Sequence, residues 1–459
     1  MSQRLDWKLL LSARRPRLSA PREDGERPAP VQPSLPALEP DADARSEFER
    51  DYDRLVFSAP FRRLAGKTQV HPFAAVDHVH NRLTHSFEVA SVGRSLAAAA
   101  ARYVKRRGDL PEGRTAADFS FIVQAACLAH DIDNPPFGHA GEYAIREWAL
   151  AHTREVFGAH SPADIAPELR GIHTDWTTFE GNAQAFRMMA RGDNDTGVYF
   201  RLTYATLGAL IKYPWHSADP RAAELHKYNV FSSELDLFEG LVDATGLRRD
   251  DGTVARHPLS FLSEAADDIC YRIADFEDAV EMGILPEEEV RDIFGRIAGE
   301  EGRSGRNLPH LRSLALSALT KAAVEAFIAD YDAILAGTRT RDLKADFPRH
   351  IADALVEIKK RYEDIFIHRA KLATEIGAYN TLGRILGFYA RAVRELSETR
   401  DFSKLGYISR RCLEMAWGRD YARENETRPY SWWLARVMDF VSGMTDGYAL
   451  RISRQIEGA

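Results

Sequence analysis

Apolar residues recur at helical spacing through nearly the whole chain beyond residue 45, and alternating strand patterns are scarce. Residues 86–107, 119–131, 139–157, 179–191, 198–211, 258–281, 285–299, 311–336, 349–374, 376–397, 405–417 and 429–453 all carry apolar positions three and four apart. A side chain repeats its direction every 3.6 residues only in an α-helix, so this pattern predicts an all-α protein. Gly, Pro and Asp place loops at 108–118, 158–177, 214–222, 244–257 and 300–309. None of them is long enough to be a clear linker, and no internal repeat is visible.

Residues 16–44 interrupt the pattern with proline, alanine and charge, which support neither a helix nor a central strand. Residues 1–45 are therefore expected to form a flexible N-terminal arm. The short apolar patch at the start lacks the small-residue cleavage pattern of a secretory signal, and no stretch approaches a membrane span. With 61 Lys and Arg against 68 Asp and Glu, the net charge is -7. That balance argues against a dedicated nucleic-acid coat, whose surface is strongly basic. Basic patches at Lys105-Arg106-Arg107 and Arg410-Arg411 leave single-stranded DNA open as a partner, though solvated helix faces explain them more simply. The three cysteines, Cys127, Cys270 and Cys412, are scattered and odd in number. They form neither a zinc pattern nor a disulfide framework, and a reduced, cytoplasmic setting fits them.

Most of the fifteen histidines need no special account. His152, His160, His257, His310, His350 and His368 sit among polar neighbours and read as solvent-facing. Three segments differ. Residues 121–129 (FIVQAACLA) are almost uninterrupted apolar sequence and end in His130-Asp131. Burying an ionised carboxylate costs several kcal/mol unless it is paired or metal-bound, so this pair points to a cation site. Asn134-Pro135-Pro136-Phe137-Gly138 then breaks the helix, and His139 and Glu142 open the next one. Asp267, Tyr271 and Asp275 follow at i, i+4 and i+8, one stripe of a single helix, which suits a polar pocket or a solvated acidic face. Arg82 and His85, in the segment from His78 to Ser86, are three apart on one turn, one suited to a phosphate and the other to a metal.

These segments resemble the HD superfamily of metal phosphohydrolases, and more closely its dGTPase-like branch. The resemblance is carried in order by FSAPFRRLAGKTQV at 57–70, HDIDNPPFGHAGE at 130–142, FEGNAQ at 179–184, Lys212-Tyr213-Pro214, EAADDICY at 264–271, and SGMTD at 442–446 with Tyr448-Ala449-Leu450 after it. It implies an all-α HD-domain fold with a C-terminal helical extension: an HD core over 46–285, and a region over 286–459 completing the nucleotide site and the oligomer contacts. It implies His85, His130, Asp131 and Asp267 as metal ligands and His139 as the catalytic histidine, with Glu142 and Glu180 orienting it. Arg82, Lys212, Tyr213 and Lys227 match triphosphate contacts, Tyr271 and Asp275 the deoxyribose, and Gln69 a glutamine near sugar and base. The implied cofactor is a divalent metal, Mn²⁺ or Mg²⁺ first, then Fe²⁺, Co²⁺ or Zn²⁺. The implied activity is hydrolysis of a dNTP to deoxynucleoside and triphosphate, by a homo-oligomer that in some cases takes a dNTP activator.

One position departs from the family pattern. Asp133 stands where glycine is usual. Aspartate is among the few residues that tolerate a positive φ, and a carboxylate facing the metal would alter metal affinity or the titration of His139. Two other readings remain at this stage. One is an HD phosphohydrolase acting on monophosphates, cyclic nucleotides or ppGpp. The other is a nucleotide sensor or single-stranded nucleic-acid binder with little turnover.

Overall fold

The computed structural model describes residues 4–16, 45–69, 79–191, 200–299, 306–366 and 369–458. Helices dominate, and extended pairing among these residues is limited to isolated bridges such as Thr68 with Asn81. The fold is all-α, as the periodicity predicts. No helix among the described residues is long and apolar enough to cross a membrane.

Three helices build the centre: Arg82–Arg106, Ala116–Ala129 and Ser260–Glu281. Asn81 starts the first through a capping box with Thr84, satisfying backbone donors that the first turn leaves open. Its face of Ala97, Ala100, Ala101 and Gly93 lets the 116–129 helix approach closely. A Cβ at Gly93 would lie 2.6 Å from the Cys127 sulfur. The 116–129 helix is apolar on nearly all sides because it is buried on nearly all sides.

Buried apolar side chains form two clusters, and they do not divide at residue 285. One runs from Leu5 to Ile358 and includes all three central helices. The other joins Phe137–Phe231 to Ala378–Ile452. The chain crosses from the first to the second within the turn 130–138, so that turn lies where the two cores meet.

Several expectations are corrected. The arm does not begin at residue 1: Leu5, Trp7, Leu10 and Leu11 are core residues. The Trp7 indole donates to the Tyr331 hydroxyl at 2.8 Å, and the Leu5 amide donates to the Leu335 carbonyl. A short apolar run is enough for this because a groove formed by distant residues receives it. Residues 17–44 lie outside the described residues, as do His78 and His368. The loop expected at 158–177 contains helix Pro167–Thr177, where Pro167 occupies the first turn and needs no donor, and Ile172 and Trp176 are buried. His257 is not solvent-facing. It is 1% exposed and bonds the Leu10 carbonyl at 3.1 Å. The expected helix 429–453 splits into Tyr430–Ser442 and Asp446–Glu457 because Thr445 caps the second piece. No break falls at 375: helix Arg369–Thr399 runs unbroken through that residue, and residues 367 and 368 lie outside the described residues.

Candidate functional site

His85 projects from the first turn of the 82–106 helix and is buried. His130 caps the end of the 116–129 helix, and Asp131 follows it. His130 Nδ1 lies 2.6 Å from the Cys127 carbonyl and so must be its donor. His130 Nε2 faces Asp267 Oδ1 at 3.4 Å and Asp131 Oδ2 at 3.6 Å. Burial works to lower this imidazole, but the two carboxylates raise it above its ordinary value. His85 Nε2 lies 3.2 Å from the same Asp267 oxygen. His85, His130 and Asp131 offer ligand atoms all within 4.8 Å of one another.

Each carboxylate divides its oxygens. Asp131 Oδ1 takes Arg82 at 2.6 Å and the Asn134 amide at 2.5 Å, while its buried Oδ2 has no hydrogen-bond partner. Asp267 Oδ2 takes Lys212 at 2.6 Å, and its Oδ1 faces the two imidazoles. Burial works against both carboxylate charges, but the neighbouring cations outweigh it. Arg82 and the histidines bring Asp131 down to about 2, and Lys212 and His130 hold Asp267 well below the carboxylate range. Two imidazole nitrogens and two ionised carboxylates, with a buried oxygen unused, fit a hard-to-borderline divalent cation.

The turn 131–138 carries the chain from this cluster to His139. Asp133 adopts φ 58° and Phe137 φ 67°. Asp133 therefore takes the left-handed conformation that glycine would allow. Its buried carboxylate pairs with Arg63 at 3.2 Å. Lys67, also buried, donates to the Asn134 and Ser442 carbonyls. Asp446 accepts from the Thr68 amide and hydroxyl and from the Phe137 amide. The 57–70 and 442–446 motifs thus hold the turn from behind.

His139 opens helix His139–Ala151 with its side chain 79% exposed, and its Nδ1 lies 2.9 Å from Glu142 Oε2. Burial would raise the Glu142 carboxyl, but the His139 hydrogen bond and the charges of His139, Lys227 and Arg146 hold it at about 2. The carboxylate is therefore the acceptor, His139 Nδ1 the donor, and His139 Nε2 faces outward. Glu142 Oε1 accepts the Gly181 amide at 2.8 Å. A Cβ at Gly181 would lie 1.7 Å from the Asn134 amide oxygen, so glycine is required for this approach. Glu180 is not on His139. It pairs with Lys227 at 2.9 Å, and burial beside Glu142 raises its carboxyl.

A cavity of about 370 Å³ joins these parts. Gln69, Arg82, His130, Asp131, His139, Glu142, Glu180, Lys212, Tyr213, Lys227, Asp267 and Tyr271 all line it. His85 lies beneath the floor and Asp275 behind Tyr271, whose ring stacks on Tyr362 at 5.4 Å. Asn134, Asn182, Asp268 and Glu375 also line the cavity and were not singled out from the sequence. Asp268 stood inside the 264–271 motif without a signal of its own, and Glu375 fell in the expected helix break. Asn134 and Asn182 stood inside quoted motifs without a signal of their own.

A helical fold around a buried histidine–aspartate cluster defines an HD-domain protein, and residues 82–169 match the HD domain family. The chain is 41% identical over 439 residues to a deoxyguanosinetriphosphate triphosphohydrolase-like protein of Pseudomonas aeruginosa, covering 90% of this chain and 94% of the relative. It is 37% identical to a protein of the same description from Synechocystis, over 90% and 94% of the two chains. It is 31% identical to a deoxyguanosinetriphosphate triphosphohydrolase of Serratia proteamaculans, over 92% and 95%. The chain belongs to the deoxyguanosinetriphosphate triphosphohydrolase-like family of HD hydrolases.

Proposed function

We propose that the chain hydrolyses a deoxynucleoside triphosphate at the α-phosphorus, releasing deoxynucleoside and inorganic triphosphate. The observation that carries this is one cavity that brings together the His85–His130–Asp131 cluster at its floor with Asp267 beside it, an outward His139 tied to Glu142, and three cations. A divalent cation held by those four residues, Mn²⁺ or Mg²⁺ before Fe²⁺, Co²⁺ or Zn²⁺, would supply Lewis acidity and a more acidic water.

The protein's own groups account for the rest. Arg82, Lys212 and Lys227 offset charge on the triphosphate, as phosphoryl transfer requires, with Tyr213 beside them. Glu142 fixes the His139 ring, and Glu180 fixes Lys227. Water adds to the α-phosphorus as the bond to the 5′-oxygen breaks. Protonated His139 gives its Nε2 proton to that oxygen, and the proton lost by the attacking water passes to solvent, from which His139 is protonated again. Tyr271, backed by Asp275, packs on the deoxyribose where a 2′-hydroxyl would crowd, and Gln69 lies toward sugar and base. A homo-oligomer, a dNTP activator and a cytoplasmic setting belong to the same reading. Light scattering with and without dNTP tests the first two.

The direct test is incubation with each of the four dNTPs and with GTP, adding Mn²⁺, Mg²⁺ or Co²⁺, followed by separation of products. Deoxynucleoside plus inorganic triphosphate is expected. Monophosphate with pyrophosphate, or orthophosphate release, would overturn the proposed site of attack.

A further inference from the structure

Beyond the catalytic cavity, on the far side of His139, lies a second, more open hollow of about 510 Å³ between the 139–151 and 369–399 helices. His139, Ala140 and Glu375 line both spaces, so the two adjoin at His139. Their chemistry is opposite. The cavity holds Arg82, Lys212 and Lys227. Among the described residues the hollow has no Lys or Arg in its lining. It has Tyr143, Tyr379, Ile376 and Asn380, with the carboxylates Glu147 and Glu375.

Tyr143 is 60% exposed, Ile376 69% and Tyr379 40%. Large apolar side chains clustered in a concave surface beside a reaction centre are a binding feature rather than ordinary surface. Two carboxylates disfavour a polyanion there. Tyrosine rings offer stacking faces for a flat neutral ring, while Asn380 and the carboxylates offer hydrogen bonds to its edge. A polar, uncharged aromatic molecule fits this hollow, and a phosphate does not.

We propose that this hollow is the site through which the neutral nucleoside product is held and released after cleavage. The inference rests on the preceding functional reading. Cleavage separates an uncharged deoxynucleoside from a polyanion, and the new 5′-hydroxyl forms at His139, the residue shared by the two spaces. The triphosphate stays with the three cations. The nucleoside moves across His139 onto Tyr143 and Tyr379, and the two products leave by different mouths.

Isothermal titration of the metal-loaded, full-length protein with each of the four deoxynucleosides, and separately with inorganic triphosphate, tests this without turnover. Tyr143→Ala and Tyr379→Ala are expected to weaken binding of the preferred deoxynucleoside about tenfold, while triphosphate affinity shifts by less than about twofold. Tyr379→Phe, which keeps the ring, is expected to restore binding. Both tyrosines are exposed, so the alanine variants should fold, and circular dichroism checks this. Nucleoside binding that ignores both alanine variants, or that is absent while triphosphate is still the reaction product, would overturn the inference alone. Release of pyrophosphate or orthophosphate would overturn the functional reading, and with it the hollow's proposed occupant.

Discussion

The Asp133 carboxylate lies 3.2 Å from the Arg63 guanidinium, with Asp133 itself 1% exposed. Aspartate thus meets a backbone demand for positive φ and adds a tie between the metal-side turn and the 57–70 segment. Removing the cation leaves a buried charge with fewer partners. Arg63→Ala should cost roughly 1–3 kcal/mol, the usual penalty for an unsatisfied buried polar group. Asp133→Gly should cost less, because it removes the charge and keeps the backbone conformation. Urea unfolding of both variants checks the order. Equal losses would mean the ion pair contributes little.

The oxygens not taken by Arg82 and Lys212 converge with the imidazoles of His85 and His130. His130→Ala is expected to lose bound metal and turnover while keeping its helical signal. Lys212→Met removes a group that orients Asp267, and should weaken metal binding about 10–100-fold. Metal content by mass spectrometry and triphosphate release read out both variants. Full activity in His130→Ala would remove the basis of the metal reading.

Tyr271 lines the cavity, with Tyr362 stacked at its back and Asp275 buried behind it. On the proposed function, this backing would keep the ring from yielding to a larger sugar. Tyr271→Ala should reduce the preference for dGTP over GTP about tenfold or more, measured as a ratio of kcat/KM values. An unchanged ratio would place sugar selection elsewhere.

The helical class was legible because periodicity is local, and the His130-Asp131 pair because a carboxylate is costly to bury without a reason; His85 and Asp267 joined them as candidate ligands through the family resemblance. What was not legible depended on distant surfaces. Trp7 and Leu10 sit in a short apolar patch that has no meaning until Tyr331 and Leu335 are packed against it. Glu375 reaches the cavity only because the 369–399 helix runs through a position that the pattern alone would interrupt. The resemblance assigned Glu180, in the 179–184 motif, to orient His139, yet its partner is Lys227, 47 residues further on. A motif identifies that residue as present at the site, but its hydrogen-bond partner is set by tertiary packing.

Trp7 also yields a stability prediction. Its ring lies 4.7 Å from Phe119, and its indole nitrogen is satisfied by Tyr331. Trp7→Ala removes a buried ring and a hydrogen bond far from the cavity, and should cost about 3–5 kcal/mol. Denaturant unfolding measures this. Deletion of residues 1–16 should be worse, since it exposes the groove that Leu5, Leu10 and Leu11 also fill.

The same segment is sensitive to acid through His257. Burial lowers this imidazole to about 4, and the Leu10 carbonyl opposes the shift only partly. Its Nδ1 accepts the Leu259 amide at 3.2 Å and its Nε2 faces that carbonyl, so the neutral ring satisfies both and the charged ring cannot. The unfolded chain takes up the proton near pH 6.5, before the folded protein does. Stability from this group is therefore complete above about pH 6.5 and is lost as the pH falls toward 4. His257→Gln can keep a donor toward Leu10 and an acceptor toward Leu259 without titrating. Thermal midpoints between pH 7.5 and 4.5 should fall more steeply for the native chain than for His257→Gln. Parallel curves would show that this ring does not contribute to acid unfolding.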